Sequence, residues 1–306
     1  MRTSDIVRLF TLAALWGASF LGLRVVAPTL GAIVTAEARV GIAGLALLAW
    51  CAIVHVPLRW REHAWPMTIV GLFNSAIPFA LFAFAVKTIP GGYAAILNAT
   101  SPLFGAVIAS LWLREALGGR RLLGIVFGVA GVACVVKLGP VTMTGDALIA
   151  YVACLAAACC YGFAGNYTKQ LARPIAPTAM AAGSQITAAI ALLPLIPFDP
   201  VRVMPTHSVV LIVAALGIGS TAIAYLLYFL LIRDVGATRA LTVTFLVPLF
   251  AVAWGWALLH EVVTWRMAGG GALVLIATWL VVSASKTKTV VVATPAQCGV
   301  PATRRA

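Results

Sequence analysis

Three prolines inside long apolar stretches each stand four residues after a polar side chain. Proline has no N–H, so in a helix it leaves the carbonyl four residues earlier without its hydrogen-bond partner. Each position therefore offers a carbonyl and an amide or hydroxyl on adjacent turns. This arrangement predicts polar contacts for a small solute, with the prolines as hinges, although the same groups could satisfy the kink or join neighbouring helices. The pairs are Asn74 with Pro78, Asn98 with Pro102, and Thr244 with Pro248.

Aromatic and small polar side chains occupy matching places in the two halves of the chain. A shift of 145 residues places Trp16 on Tyr161, and a polar residue follows each of them by about one turn. Two tyrosines three residues apart share a helix face in a later apolar stretch. We predict that these side chains line a central cavity, with packing between helices as the alternative. The set is Trp16, Ser19, Tyr161, Asn166, Tyr225 and Tyr228.

Arg39 is the only charged residue that falls well inside a predicted membrane span. A guanidinium in lipid is costly and usually marks a functional contact or a specific partner. Arg39 could attract a carboxylate, pair with Glu37 or a freed carbonyl, or extend toward the outer face. Its counterpart after a shift of 146 residues is the neutral Gln185.

The composition predicts that these residues are carried by helices embedded in lipid. Of 306 residues, 62% are hydrophobic and 9% charged, with a mean hydropathy of +1.06, whereas a soluble domain has about a quarter charged residues. A span needs roughly 20 mostly apolar residues. We predict an all-α membrane protein with ten spans, at 6–26, 33–54, 65–86, 91–113, 121–137, 146–168, 176–196, 208–232, 238–259 and 266–285.

An internal repeat divides these spans into two sets of five. Residues 71–136 align with 217–282 without a gap and share 14 identities in 66 pairs. Because each half has an odd number of spans, we predict that the second enters the membrane inverted, which favours alternating access around a midplane site. The predicted units are a first repeat at 1–139, a second repeat at 140–285 and a disordered cytoplasmic tail at 286–306.

The net charge of +13 indicates orientation rather than binding to nucleic acid. With the N-terminus placed inside, fifteen Lys and Arg residues fall on inner segments and five on outer ones, which is the positive-inside pattern. Both termini are therefore predicted to be cytoplasmic, in a plasma membrane that the high alanine and arginine content suggests is bacterial. The expected partners are lipids and a small solute, in a monomer or weak homodimer. The six cysteines and four histidines show no metal-ligand spacing, and we expect no cofactor.

The order of the motifs resembles the drug/metabolite transporter superfamily, specifically its ten-span EamA-type exporters. The resemblance covers about residues 6–285 and implies a ten-helix transporter with cytoplasmic termini that moves small metabolites, often amino acids, usually outward. The motifs that carry it are Trp16-Gly17-Ala18-Ser19-Phe20, Arg39, Thr100-Ser101-Pro102, Arg114-Glu115, Gly124/Gly128/Gly131, Val247-Pro248-Leu249, His260-Glu261 and Gly269-Gly270-Gly271.

The acidic residues bear on the energy source. None is placed at mid-bilayer, where proton-driven carriers normally keep a titratable group, and no Walker lysine is present. We predict facilitated efflux, while a proton route through Glu37, Glu115 or Glu261 near the span ends stays open. Two alternatives are an exporter of drugs or other lipophilic compounds and a membrane-embedded group transferase. The latter would need clustered Asp, Glu or His at one face, so we expect no enzymatic activity.

Overall fold

The structure, a computed structural model, describes residues 2–115, 117–138, 144–171, 175–201, 203–235, 240 and 242–283, and this part of the chain is helical without any strand. The predicted tail lies outside the described residues. The first half contains α1 (Thr3–Leu30), α2 (Ala32–Ile53), α3 (Trp60–Gly71), a π-helical segment (Leu72–Ala76), α4 (Ile77–Ala85), α5 (Gly91–Asn98), α6 (Ser101–Trp112) and α7 (Gly119–Leu138).

The described part of the second half follows a similar order, except that a 3-10 segment follows its second helix and one helix stands where the first half has α5 and α6. It contains α8 (Gly145–Leu171), α9 (Pro177–Leu192), a 3-10 segment (Leu193–Phe198), α10 (His207–Gly217), a π-helical segment (Ile218–Ile223), α11 (Ala224–Val235), α12 (Val243–Leu259) and α13 (Trp265–Ser283).

Eight helical stretches of the described chain are long and apolar enough to cross a membrane, and they coincide with the first eight predicted spans. Two further apolar helices, Val243–Leu259 and Met267–Ser283, are shorter. The predicted ends differ most in α1, which begins at Thr3, contains Pro28 and continues to Leu30, because proline is tolerated where neighbouring helices support the freed backbone group.

The outer surface of the bundle is apolar. Leu45, Leu111 and Trp265 are 66%, 79% and 94% exposed. Soluble proteins rarely expose apolar side chains over so wide an area. The interior is filled by small and branched side chains, among them the fully buried Leu12 and Leu47. The prediction of an all-helical protein that has lipid as its solvent is confirmed by this distribution together with the eight spans.

The most extensive helix pairs join one half of the chain to the other. They are α7 with α13, α2 with α9, and α1 with α12. In the first pair, a Cβ on Gly131 would lie 3.0 Å from the carbonyl oxygen of Gly270, and a Cβ on Gly270 would lie 3.1 Å from that of Gly131. The fifth and tenth apolar helices therefore pack closely against each other, and the glycine contact between them is reciprocal.

Gly17 and Gly162 make equivalent close contacts with the repeated Pro-Leu-Phe motif. A Cβ on Gly17 in α1 would lie 2.6 Å from Phe250 Cβ, and one on Gly162 in α8 would lie 2.6 Å from the backbone nitrogen of Gly105, the residue after Phe104. Only glycine permits backbones to approach this closely. The glycine of one motif and the Pro-Leu-Phe of the other thus form the two sides of a helix contact. This contact occurs twice, once with the glycine from each half.

The fourth apolar helix of each half ends in the same way. Arg114 and His260, which a shift of 146 residues superposes, have positive φ angles of 52° and 53°, the left-handed conformation that often terminates a helix. The glutamate that follows then donates its N–H backwards, Glu115 to the Ala109 carbonyl at 3.3 Å and Glu261 to that of Gly255 at 3.0 Å. The repeated basic-acidic dipeptide is therefore a helix-ending motif.

Candidate functional site

The two π-helical segments lie at the same place in each half. A shift of 146 residues carries Leu72–Ala76 onto the first five residues of Ile218–Ile223. Pro78 follows the first segment closely, but its counterpart is Ala224, so proline is not the shared cause of the wider turns. Single π-turns inside α-helices are frequent at functional sites because they redirect backbone and side-chain groups.

Two hydrogen bonds, which we call the crossed pairs, join these π-segments to helices of the opposite half. Arg39 of α2 donates from Nε to Thr221 Oγ1 at 2.9 Å, and Gln185 of α9 donates from Nε2 to Ser75 Oγ at 2.8 Å. All four residues are buried. A shift of 146 residues carries Arg39 onto Gln185 and Ser75 onto Thr221, so the two bonds are equivalent in the repeat.

Arg39 is held by an aromatic ring and a hydroxyl group, and not by a counter-ion among the described residues. Its Cζ lies 3.9 Å from the centre of the Phe79 ring, a cation–π contact. Thr221 gives its hydroxyl proton to the Leu216 carbonyl at 2.9 Å, which leaves its lone pairs for Arg39. Within the described residues no carboxylate, including that of Glu37, lies within ion-pair distance of Arg39. The predicted alternative that Arg39 pairs with Glu37 is therefore wrong.

Asn74 and Tyr225 meet beside the crossed pairs. Asn74 donates from Nδ2 to the Tyr225 hydroxyl at 2.6 Å, and the same hydroxyl adjoins the side chains of Ser75 and Gln185. Two residues predicted to line a cavity thus lie together at the junction of the halves, in contact with each other.

The predicted aromatic residues form a second set of equivalent contacts. The rings of Trp16 and Tyr228 are 5.5 Å apart, and those of Tyr161 and Phe82 are 6.2 Å apart. Shifts of 145 and 146 residues exchange the two pairs. All except Phe82 keep partial exposure, so these rings border the junction rather than fill a sealed core.

Two of the predicted polar residues bond to helix backbone instead. Ser19 is buried, and its hydroxyl donates to the Trp16 carbonyl at 2.7 Å. Asn166 donates from Nδ2 to the carbonyls of Gly105 at 2.8 Å and Gly162 at 2.9 Å. Its amide thereby joins α8 to α6, which is the interhelical alternative foreseen for such side chains.

The three prolines have different environments. Pro78 lies at the start of α4, directly after the π-segment. Pro102 is the second residue of α6, which follows a break in the helix, and the Asn98 carbonyl accepts a hydrogen bond from Ser101 Oγ at 2.6 Å. Pro248 lies inside the unbroken α12, and Thr244 is half-buried one turn earlier. The hinge role of all three stays a prediction.

The sequence interpretation missed three residues of this junction, namely Ser75, Thr221 and Phe79. The first two carry a detectable signal, because both are small hydroxyl residues at positions that a shift of 146 residues superposes. Phe79 carries none, since its contact with Arg39 depends on how α2 packs against α4. Gln185 was noted only as the neutral counterpart of Arg39.

Two clefts lie at one end of the bundle, near Glu261. They have volumes of about 620 and 570 Å³, and none of the predicted cavity residues lines them. Glu261 accepts a hydrogen bond from the Gly91 N–H at 3.1 Å. Glu115 pairs instead with Arg121 at 3.2 Å and Lys169 at 3.6 Å. No group of three metal-ligating side chains occurs among the described residues.

A lipid-embedded helical bundle whose halves meet at a buried polar junction is the architecture of a membrane transporter, and comparison with known proteins agrees. The chain belongs to the EamA-like transporter family, whose model matches residues 4–137 and again 148–283. The family predicted from the motifs is thus confirmed.

Several of its relatives are named as transporters. The chain is 25% identical over 268 residues to an uncharacterized transporter of Archaeoglobus fulgidus, covering 87% of this chain and 94% of that one. It is 26% identical over 261 residues to the uncharacterized inner membrane transporter YedA of Escherichia coli, covering 81% and 80%. A crystal structure of another protein has the same fold, with a TM-score of 0.64 and 22% identity, over 92% of this chain and 98% of that one. This chain is therefore a multi-pass membrane transporter and not an enzyme.

Proposed function

We propose that the protein is a secondary transporter that exposes the junction around the crossed pairs alternately to the two sides of the membrane. The observation that carries this proposal is the equivalence of Arg39–Thr221 and Gln185–Ser75. Each half contributes the same two positions, one to each hydrogen bond. Alternating access requires such equivalence, because the two halves exchange conformations when the transporter switches sides.

The proposal includes ten spans in two inverted repeats, at 1–139 and 140–285. The shorter α12 has 17 residues and would extend over roughly 26 Å at about 1.5 Å per residue, which is close to the thickness of the hydrocarbon core. Five helices in each half then give the halves opposite orientations.

Contacts at the helix ends support this topology. Asp199 accepts from the Ala32 N–H at 2.6 Å, and Glu261 accepts from the Gly91 N–H. Both contacts join segments that the topology places outside. Lys169 with Glu115, and Arg8 with Asp234, join segments that it places inside. A single miscounted span among the first nine would separate at least one of these pairs, so the contacts support the proposed order of those spans.

We propose that the transported solutes are small metabolites, with amino acids as the first class to test, moving outward down their own gradient. The charged residue at the junction is a cation, and no carboxylate or histidine of the described chain forms a hydrogen bond or ion pair with any residue of the crossed pairs. The nine residues predicted from the sequence to contact the solute remain the proposed lining of its route through the protein. Two of them, Ser19 and Asn166, contribute through hydrogen bonds to helix backbone. The prolines are proposed to permit the helix bending.

A second candidate is an exporter of lipophilic compounds. The Trp16–Tyr228 and Tyr161–Phe82 contacts favour it, because aromatic rings at the border of a cavity bind planar apolar solutes. The crossed pairs favour polar solutes instead, and a transport panel that contains both classes separates the two.

The test is solute counterflow in proteoliposomes that contain the purified protein. Vesicles loaded with each proteinogenic amino acid should accumulate the radiolabelled form of at least one, and protein-free vesicles should not. Asn98→Ala should reduce the initial rate, whereas Ser110→Ala on the neighbouring α6 should not. The proposal of amino-acid transport fails if no amino acid exchanges while lipophilic dyes do, and Asn98 leaves the proposed lining if its variant exchanges at the normal rate.

A further inference from the structure

The crossed pairs leave specific hydrogen-bonding groups unused. Arg39 is only 4% exposed, and its one hydrogen bond to a described residue uses Nε. Neither terminal nitrogen is among the fully enclosed polar atoms that lack a partner, so a water molecule or small solute can touch them. Buried guanidinium groups normally have their donors satisfied, which makes this edge a site for an acceptor.

The orientation of Arg39 suits one kind of acceptor. The Phe79 ring covers one side of the guanidinium, with Cζ 3.9 Å from the ring centre, and the N–H donors of a guanidinium lie in the plane of the group. A planar guanidinium edge matches a carboxylate, which accepts two parallel hydrogen bonds from it. Thr221 accepts from Nε, which leaves the edge formed by the two terminal nitrogens for the carboxylate.

Gln185 leaves the complementary group unused. Its side chain is fully buried and donates to Ser75, but Oε1 is enclosed without any partner in the described chain. A buried amide oxygen without a donor is uncommon in native proteins. An N–H or O–H group supplied by a ligand would satisfy it.

The two unused groups lie in the same region. The Tyr225 hydroxyl adjoins Gln185 and Ser75 and is also an electrostatic neighbour of Arg39. A strong donor for carboxylates and an orphan acceptor therefore face the junction from the two halves. The repeat makes their backbone positions equivalent, whereas the change from Arg to Gln makes their chemistry complementary.

We propose, on the basis of the proposed transport function, that the crossed pairs bind a small carboxylic acid carrying a hydrogen-bond donor on its α-carbon, an α-amino or α-hydroxy acid. Its carboxylate accepts from the terminal nitrogens of Arg39, and its α-ammonium or α-hydroxyl donates to Gln185 Oε1. Because Oε1 is enclosed here, the donor reaches it only when α9 and the first π-segment move apart. Binding would thereby favour the opened arrangement.

The first test uses the unaltered protein in detergent micelles and measures ligand binding by calorimetry. The proteinogenic L-amino acids are screened, and the one that binds most tightly is compared with three analogues of the same side chain. The amide, which lacks the carboxylate, should not bind measurably, and the acid without an α-substituent should bind about tenfold more weakly, the worth of one hydrogen bond. The 2-hydroxy acid decides between ammonium and hydroxyl as the natural donor. Equal binding of acid and amide, or no binding by any amino or hydroxy acid, overturns the proposal.

The second test assigns the two contacts to their residues. Arg39→Lys should weaken binding of every carboxylic acid at least tenfold, since lysine cannot offer the bidentate edge, whereas Arg61→Lys at an exposed position should have no effect. Gln185→Leu should weaken the α-amino and α-hydroxy acids but leave the unsubstituted acid unchanged. If Gln185→Leu weakens the binding of all ligands equally, the variant is misfolded. The binding of the analogue series to the unaltered protein then decides whether the proposal stands.

Binding and transport can fail separately. If the analogue pattern holds but no solute exchanges in proteoliposomes, the site stands and the transport proposal falls. If solutes exchange and Arg39→Lys exchanges them at the normal rate, transport stands and the carboxylate site falls.

Discussion

The contact between Gly17 and Phe250, and its equivalent between Gly162 and Phe104-Gly105, give a sharp prediction about stability. In Gly162→Ala the new Cβ would lie 2.6 Å from the Gly105 backbone nitrogen and 3.0 Å from the Ser101 carbonyl oxygen. Optimal heavy-atom contacts with carbon are about 3.5–4.0 Å. Backbone atoms block the methyl group, so no change of rotamer relieves the overlap, and α8 must move about 1 Å away from α6.

Such overpacking costs about 1–3 kcal/mol of unfolding free energy. Alanine in place of glycine also improves helix propensity by about 0.8–1.0 kcal/mol, which would hide part of the effect. Gly165→Ala on the same helix provides the matched control, because no heavy atom lies within 4 Å of its new Cβ. The propensity gain cancels in the comparison, so Gly162→Ala should be about 1–3 kcal/mol less stable than Gly165→Ala.

The assay is reversible unfolding in mixed micelles with increasing SDS, followed by tryptophan fluorescence, for which the chain has nine tryptophans. Gly17→Ala should behave like Gly162→Ala, because its Cβ would lie 2.6 Å from Phe250 Cβ and 2.8 Å from the Ala251 nitrogen. Equal stability of Gly162→Ala and Gly165→Ala would refute the inferred helix contact. Loss of stability in only one of Gly17→Ala and Gly162→Ala would refute the equivalence of the two halves.

Three further outcomes follow from individual contacts. Asp199→Ala removes the acceptor at the start of α2 and should cost about 1 kcal/mol in the same unfolding assay, whereas Glu62→Ala, in an exposed ion pair, should cost close to zero; similar values for both would contradict the capping role. Ser101→Ala should be about 1 kcal/mol less stable than Ser110→Ala, because it leaves the Asn98 carbonyl without its hydroxyl partner, and no difference would show that another group replaces it. Efflux from loaded vesicles should continue when a protonophore collapses the proton gradient, and its abolition with the solute gradient intact would establish proton coupling.

Much of the fold could be predicted from the sequence because lipid imposes length and apolarity on each span. The repeat gave the alignment of Pro102-Leu103-Phe104 with Pro248-Leu249-Phe250, but alignment within a chain does not say which helices touch. Gly17 and Gly162 were visible as motif residues, yet their contact with the Phe motifs depends on the packing of α1 against α12 and α8 against α6.

The site was predictable in part for a related reason. Arg39 stood out because a charge within a span needs an explanation, but its partner Thr221 is 182 residues away. The prolines drew attention to the right region, yet the second π-segment has no proline. Small polar side chains are the least predictable, because one rotamer decides whether Ser19 bonds to its own helix or faces a solute.

The account rests on a junction that opens to both sides of the membrane, and the accessibility of one cysteine tests it most directly. In a variant with all six cysteines replaced, Asn74→Cys places a thiol beside Tyr225 and the crossed pairs. The account predicts that a membrane-impermeant maleimide labels this thiol in both right-side-out and inside-out vesicles, and that a transported solute alters the two rates. Labelling from one side only, or from neither side under any condition, would contradict it.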